Sequence, residues 1–96
     1  MYAQLLMLTL GPGMRSTGEK LANQFAPALK TLKGFKRVTF IGDETTGEYG
    51  SLTLWETKED AEAAAAVMRP KLEQAVSGIA KAPPTRRFFE VYETKA

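Results

Sequence analysis

The segment Tyr2–Leu10 carries large apolar side chains on both faces of the strand that its composition predicts. Successive side chains of a strand point to opposite sides, so Tyr2, Leu6, Leu8 and Leu10 fall on one face and Ala3, Leu5 and Met7 on the other. A strand of this kind has to be covered twice. A chain of 96 residues buries only about 60–65% of the surface its unfolded form exposes, and a second cover is hard to supply from within. The expectation is one domain over residues 1–96, with helices on one face of its sheet and a partner on the other.

The remaining pattern supplies the other strands and the helices. Gly11-Pro12-Gly13 ends the first strand in a turn, and Ser16-Thr17-Gly18-Glu19 has the spacing of a capping box at a helix start. The helix follows on Leu21, Phe25, Leu29 and Leu32, with a bend expected at Pro27, which lacks an N–H and crowds the carbonyl of Asn23. Gly34 closes it. Phe35–Gly42 and Glu48–Glu56 read as strands of a β-hairpin joined by the polar turn Asp43–Gly47. Thr57 caps a second helix, with Glu59 and Asp60 in the first turn, where the helix dipole favours acids. Its apolar stripe is Ala61, Ala65, Met68, Leu72 and Ile79, interrupted by Pro70. Gly78 and Ala82-Pro83-Pro84 end it, and Arg86–Thr94 reads as the last strand.

The order β-α-β-β-α-β is that of the α+β, ferredoxin-like split βαβ arrangement, an antiparallel four-stranded sheet with both helices on one face. The other face then carries Leu5 and Met7, joined by Leu52 and Leu54 of the third strand. An apolar face of that size on a small domain marks a partner, and the expected partner is a second copy of the chain.

Composition excludes more chemistry than it suggests. The chain has no cysteine and no histidine, which removes thiol nucleophiles, disulfides, thiolate zinc sites and Ser-His or Cys-His relays. Acid–base work would fall to Asp, Glu, Lys or Tyr. A net charge of +2 does not imply a nucleic-acid partner. No apolar run approaches the ~18–20 residues of a membrane span, and the N-terminus lacks the basic and small-residue flanks of a signal peptide, so a cytoplasmic protein is expected.

The third strand differs in kind between its two faces. Leu52 and Leu54 point one way, and Tyr49, Ser51, Thr53 and Trp55 the other. Hydroxyls flanked by two large aromatics suit a pocket wall with a few oriented polar groups; they equally suit a mixed sheet face on which Trp55 plugs the core. The alanines at 61 and 63–66 pose the same choice for the second helix, between close approach to the sheet and a void beneath the helix. Other clusters have plainer readings. Lys30, Lys33, Lys36 and Arg37 lie where the first helix ends, Glu59, Asp60 and Glu62 where the second begins, and Gly11-Pro12-Gly13 lacks the Gly-Lys-Ser/Thr of a phosphate loop. Arg86 and Arg87 alternate faces, so at most one can face a pocket.

The residues Leu32-Lys33-Gly34-Phe35, Asp43…Thr46-Gly47, Leu52-Thr53-Leu54-Trp55-Glu56-Thr57-Lys58-Glu59-Asp60 and Phe89-Glu90-Val91, with the mid-helix Pro27, resemble the antibiotic biosynthesis monooxygenase (ABM) family. The resemblance covers nearly the whole chain. It implies a dimeric α/β barrel in which two bare sheet faces pack together, and in each subunit a small-molecule cavity between sheet and helices. The implied substrate-binding residues are Tyr49, Ser51, Thr53 and Trp55, with Gln4, Leu6, Leu21 and Phe25 as neighbours. The implied reaction is cofactor-independent monooxygenation of a small aromatic substrate of phenol or quinol type; the alternative is a non-catalytic small-molecule-binding or structural dimer, because a shared fold does not establish a shared function. Catalytic residues do not carry over. Members that oxidise polycyclic quinols have an Asn four residues before the strand tryptophan and a Tyr six after it, and those positions here are Ser51 and Ala61. Haem-degrading members use an Asn on the first strand, where this chain has Leu6, with a Trp and a His on the second helix. With no histidine and one tryptophan, that route is excluded.

Overall fold

The computed structural model describes residues 1–94. Strand β1 (Tyr2–Thr9), helix α1 (Arg15–Lys30), strands β2 (Phe35–Asp43) and β3 (Glu48–Trp55), helix α2 (Lys58–Val76) and strand β4 (Ala82–Glu90) follow one another in the β-α-β-β-α-β order. The strands form one open antiparallel sheet ordered β2-β3-β1-β4. The doubly apolar β1 is therefore internal, and β2 and β4 are the edges.

Register decides which side chains meet. Phe40, Ser51, Leu6 and Arg86 form one row across the four strands, Val38, Thr53, Gln4 and Phe88 the next, and Trp55 stands between Phe35 and Tyr2 in a third. Helices α1 and α2 cover this face, through Leu21, Phe25 and Leu29 of the first and Ala61, Ala64, Leu72 and Val76 of the second. By the same alternation the opposite face carries Ala3, Leu5, Met7, Ile41, Leu52, Leu54 and Phe89. Leu52 is 44% and Ile41 43% exposed there.

Several local expectations change. Ser16 lies inside α1 and caps nothing; the N-cap is Met14, without a side-chain hydrogen bond, and Glu19 is taken by the Nε of Arg15 at 3.2 Å. The turn at Gly11 and Gly13, both at positive φ, delivers the chain into the helix at Met14, whose side chain packs on the core. Burial there overrides capping preference. Helix α1 runs through Pro27 to Lys30, which leaves Leu32 in the following turn. Helix α2 is capped by the Thr57 hydroxyl, which accepts from the Asp60 N–H at 3.1 Å, but ends at Val76. Ile79 thus falls outside the helix and Val76 takes the buried position. The last strand starts at Ala82 and ends at Glu90, four residues earlier at each end than its apolar pattern predicts. Pro83 and Pro84 are tolerated in it because β4 is an edge strand, where a missing N–H need not break a ladder.

Candidate functional site

The layer between sheet and helices is packed at two ends and open between them. Leu8, Leu10, Leu21, Phe25, Tyr49, Leu72 and Val76 form one buried cluster; Leu29, Trp55, Ala61 and Ala64 form another; Met68 packs against both. The gap is a cavity of about 350 Å³, near the lower end of the ~300–1,000 Å³ typical of small-molecule sites. Its floor is the middle of the sheet, where β3 presents Ser51 and Thr53 in place of the larger Tyr49 and Trp55 on either side.

Tyr49, Ser51, Thr53, Gln4, Leu6, Leu21 and Phe25 all stand on the wall of this cavity. Trp55 does not, and its reading as a cavity wall is corrected here. It is completely buried, meets Phe35 edge to face with ring centroids 5.8 Å apart, and lies among Leu29, Ala61 and Ala64. The alanines let α2 close onto the tryptophan row, whereas the shorter Ser51 and Thr53 leave the next rows unfilled. Both readings of the alanine-rich helix thus hold in different places: Ala61 is in close contact with the sheet, and Ala64 also borders the void.

The polar groups of the site differ in what they can offer. Gln4, Ser51 and Thr53 are buried, and among the described residues none of these side chains is engaged in a side-chain hydrogen bond. Each can both donate and accept. Tyr49 is only 8% exposed, and its hydroxyl has no partner among the described residues. Its ring fits between Gly18 of α1 and Gly42 of β2, where an added Cβ would stand 3.0 Å and 2.6 Å from the ring. The Nε1 of Trp55 is likewise buried without a partner.

Sequence reasoning left Arg86 and Arg87 undecided, and the structure chooses Arg86. It lines the cavity from β4, in the same row as Leu6 and Ser51. Burial pushes the Arg86 guanidinium down from its ordinary value, nearby Arg69 acts the same way, and Glu73 opposes them. Arg87 points to the other face, with its guanidinium 4.7 Å from the centroid of the Phe89 ring. Alternation said that only one of the two arginines could face a pocket; choosing between them required the register. Arg15 and Glu19, an ion pair at 3.2 Å on the first turns of α1, also border the cavity but are largely exposed. Among the described residues no three acidic side chains stand together as a metal site.

The architecture matches solved structures that include antibiotic biosynthesis monooxygenases. Its fold is that of the ABM monooxygenases. A monooxygenase of Streptomyces coelicolor in complex with nanaomycin D superposes with a TM-score of 0.78 at 16% identity, covering 99% of this chain and 90% of that one. A variant of SnoaB, a cofactor-independent oxygenase from Streptomyces nogalater, gives 0.76 at 16% identity over 98% and 95% of the two chains. A Nitrosomonas europaea protein of unknown function gives 0.78 at 14% identity over 99% and 92%. No protein-family model matches the chain, and no curated protein matches it in sequence. At the two positions where ABM quinol oxidisers carry Asn and Tyr, this ABM fold places Ser51 on the cavity floor and a completely buried Ala61 against Trp55. The second position therefore offers no polar group.

Proposed function

We propose that this protein is a cofactor-independent, monooxygenase-like dimer that takes one small aromatic molecule of phenol or quinol type into the cavity between sheet and helices. The observation that carries this reading is the composition of the cavity. Leu6, Leu21, Phe25, Met68 and Leu72 offer apolar walls for a ring, and Gln4, Ser51 and Thr53 offer three uncommitted hydrogen-bonding groups on one side. A quinol held there loses a proton more readily when donors face its oxygen, and the resulting anion is electron-rich enough to reduce dioxygen directly. In the keto tautomer of such a substrate the ring carbon para to that oxygen is a CH2, which with O2 becomes C=O and water. One oxygen atom thus ends in the product, the other leaves as water, and all the electrons come from the substrate. The protein's part is orientation, exclusion of water and hydrogen bonds to the developing oxyanion. The test is to supply hydroxylated anthracene-type quinols under 18O2 and follow labelled product. Turnover above the uncatalysed rate supports the proposal, and binding without turnover rejects its catalytic part.

One observation favours the alternative, a non-catalytic binding dimer. The carboxylates that border the cavity, Glu19 and Glu44, are exposed, and Glu19 is already paired with Arg15, so among the described residues no buried carboxylate lines the cavity as a base.

The dimer is proposed to form through the outer sheet face of Leu5, Met7, Leu52 and Leu54. Leaving four large apolar side chains wet costs roughly 1.5–3 kcal/mol each. Sedimentation at micromolar concentration should give a dimer, and Leu54→Asp should split it. A monomeric wild type would overturn this part.

A further inference from the structure

The floor of the cavity is neutral except at one end. Arg86 closes the row Phe40, Ser51, Leu6, Arg86 on the β4 edge. With strands about 4.8 Å apart, its Cα lies about 10 Å from that of Ser51, two strands away. That span suits a fused aromatic ring with an acidic substituent. We infer that Arg86 makes the cavity selective for anions: its ligand is an aromatic anion whose negative group lies against the guanidinium while its ring occupies the apolar middle. This rests on the reading of the cavity as a ligand site and narrows the class of ligand.

Three observations carry the inference. First, Arg86 borders the cavity and is partly buried, and a charge taken from water needs a counter-charge or strong hydrogen bonds. Second, no carboxylate among the described residues pairs with it. The ion pairs among the described residues are Arg15–Glu19 and Lys36–Glu56, and no carboxylate oxygen comes within 4.0 Å of Arg86. The charged groups that face it from α2 are Arg69 and Glu73, one of each sign, and burial is the larger influence on it. Third, the cavity's own carboxylates do not compete: Glu19 is held by Arg15, and Glu44 lies in the turn beyond β2, at the opposite edge of the sheet. A planar guanidinium in this setting matches a carboxylate or phenolate by paired, charge-assisted hydrogen bonds.

The test compares 2-naphthoate with 2-naphthamide, probes of one shape and different charge, by calorimetric titration. The wild type should bind the naphthoate about ten-fold or more tighter than the amide, in keeping with the extra strength of charge-assisted pairs. Arg86→Gln should bring the naphthoate down to the level of the amide and leave the amide within about two-fold of wild type. Arg86→Lys, which keeps the charge but loses the planar fork, should retain part of the preference and serves as the reading if Arg86→Gln fails to fold. Lys71→Gln, which removes one positive charge from the exposed side of α2, should change neither affinity. Equal binding of the two probes by the wild type, or parallel weakening of both in Arg86→Gln, overturns the inference and leaves the cavity reading standing. Binding of neither probe overturns both.

Discussion

Ser51 and Trp55 sit on one face of one strand, under the same pair of helices, about 13 Å apart along β3. One borders a cavity and the other is packed solid. The contrast does not come from the helix standing off, because α2 presents alanine to both places, Ala61 to the tryptophan and Ala64 to tryptophan and cavity alike. It comes from what the sheet puts beneath the helix. Trp55 with Phe35 fills its end of the layer, and Ser51 and Thr53 are too short to fill theirs. Interiors normally close such gaps. This one lies between two clusters that are each already packed, with Met68 against both.

The strongest way to break the contrast is to hollow the closed end. Trp55→Ala should cost about 3–5 kcal/mol in urea unfolding, a large share of the stability of a domain this small, and Trp55→Phe clearly less. A cost below about 1 kcal/mol would mean that this end is not held by its tryptophan. Next in size is Gly34→Ala. Gly34 has φ +82°, and an added Cβ would collide with the carboxylate of Asp60 at the start of α2, so strain and displacement together should cost on the order of 1–3 kcal/mol. A neutral result would show that α2 can shift there.

The open end should respond in the opposite sense. Ser51→Leu places apolar volume in the void and should change stability by less than about 1.5 kcal/mol, yet lower the affinity for an aromatic probe at least about ten-fold by occupying its place. Stability lost on the scale of the tryptophan variant would show that the gap has no room. The smallest expected effect lies on the surface beside Trp55. Lys36 holds the Glu56 carboxyl below its ordinary value of 4.5, first through their hydrogen bond and then through its charge. A carboxyl lowered on folding adds stability above its unfolded pKa, and that stability is lost as the pH falls through the lowered value. The difference in Tm between wild type and Glu56→Gln should therefore be present at pH 7 and shrink below pH 4.5. Both side chains are about half exposed, so the effect should be slight. A difference that grows on acidification would contradict the pairing.

Much of the fold was legible because it is written in local periods. The two-sided β1, the split faces of β3 and the Thr57 cap all appear in the structure where spacing puts them. Legibility failed where a distant contact outweighed a local preference. Ser16 has the sequence of a cap, but core packing of Met14 starts the helix earlier. Pro83 and Pro84 look like a terminator, yet an edge position admits them to β4. Within the site, alternation put Tyr49, Ser51, Thr53 and Trp55 on one face but left pocket wall and core plug both open, and Trp55 was misplaced because its surroundings come from Phe35, Leu29 and α2 rather than from its own strand.

The sequence by itself determined the order of elements, the two characters of β3 and the chemistry that a chain without cysteine or histidine cannot perform. These follow from bonded neighbours and from side-chain periods of 2.0 and about 3.6. Only the tertiary structure decided that Arg86 and not Arg87 faces the cavity, that Trp55 closes one end of it, and that a void exists between the two clusters. A cavity is the difference between the volume enclosed by four strands and two helices and the volume of the side chains they supply. No stretch of sequence carries that difference, since each of its terms comes from a different element of the fold.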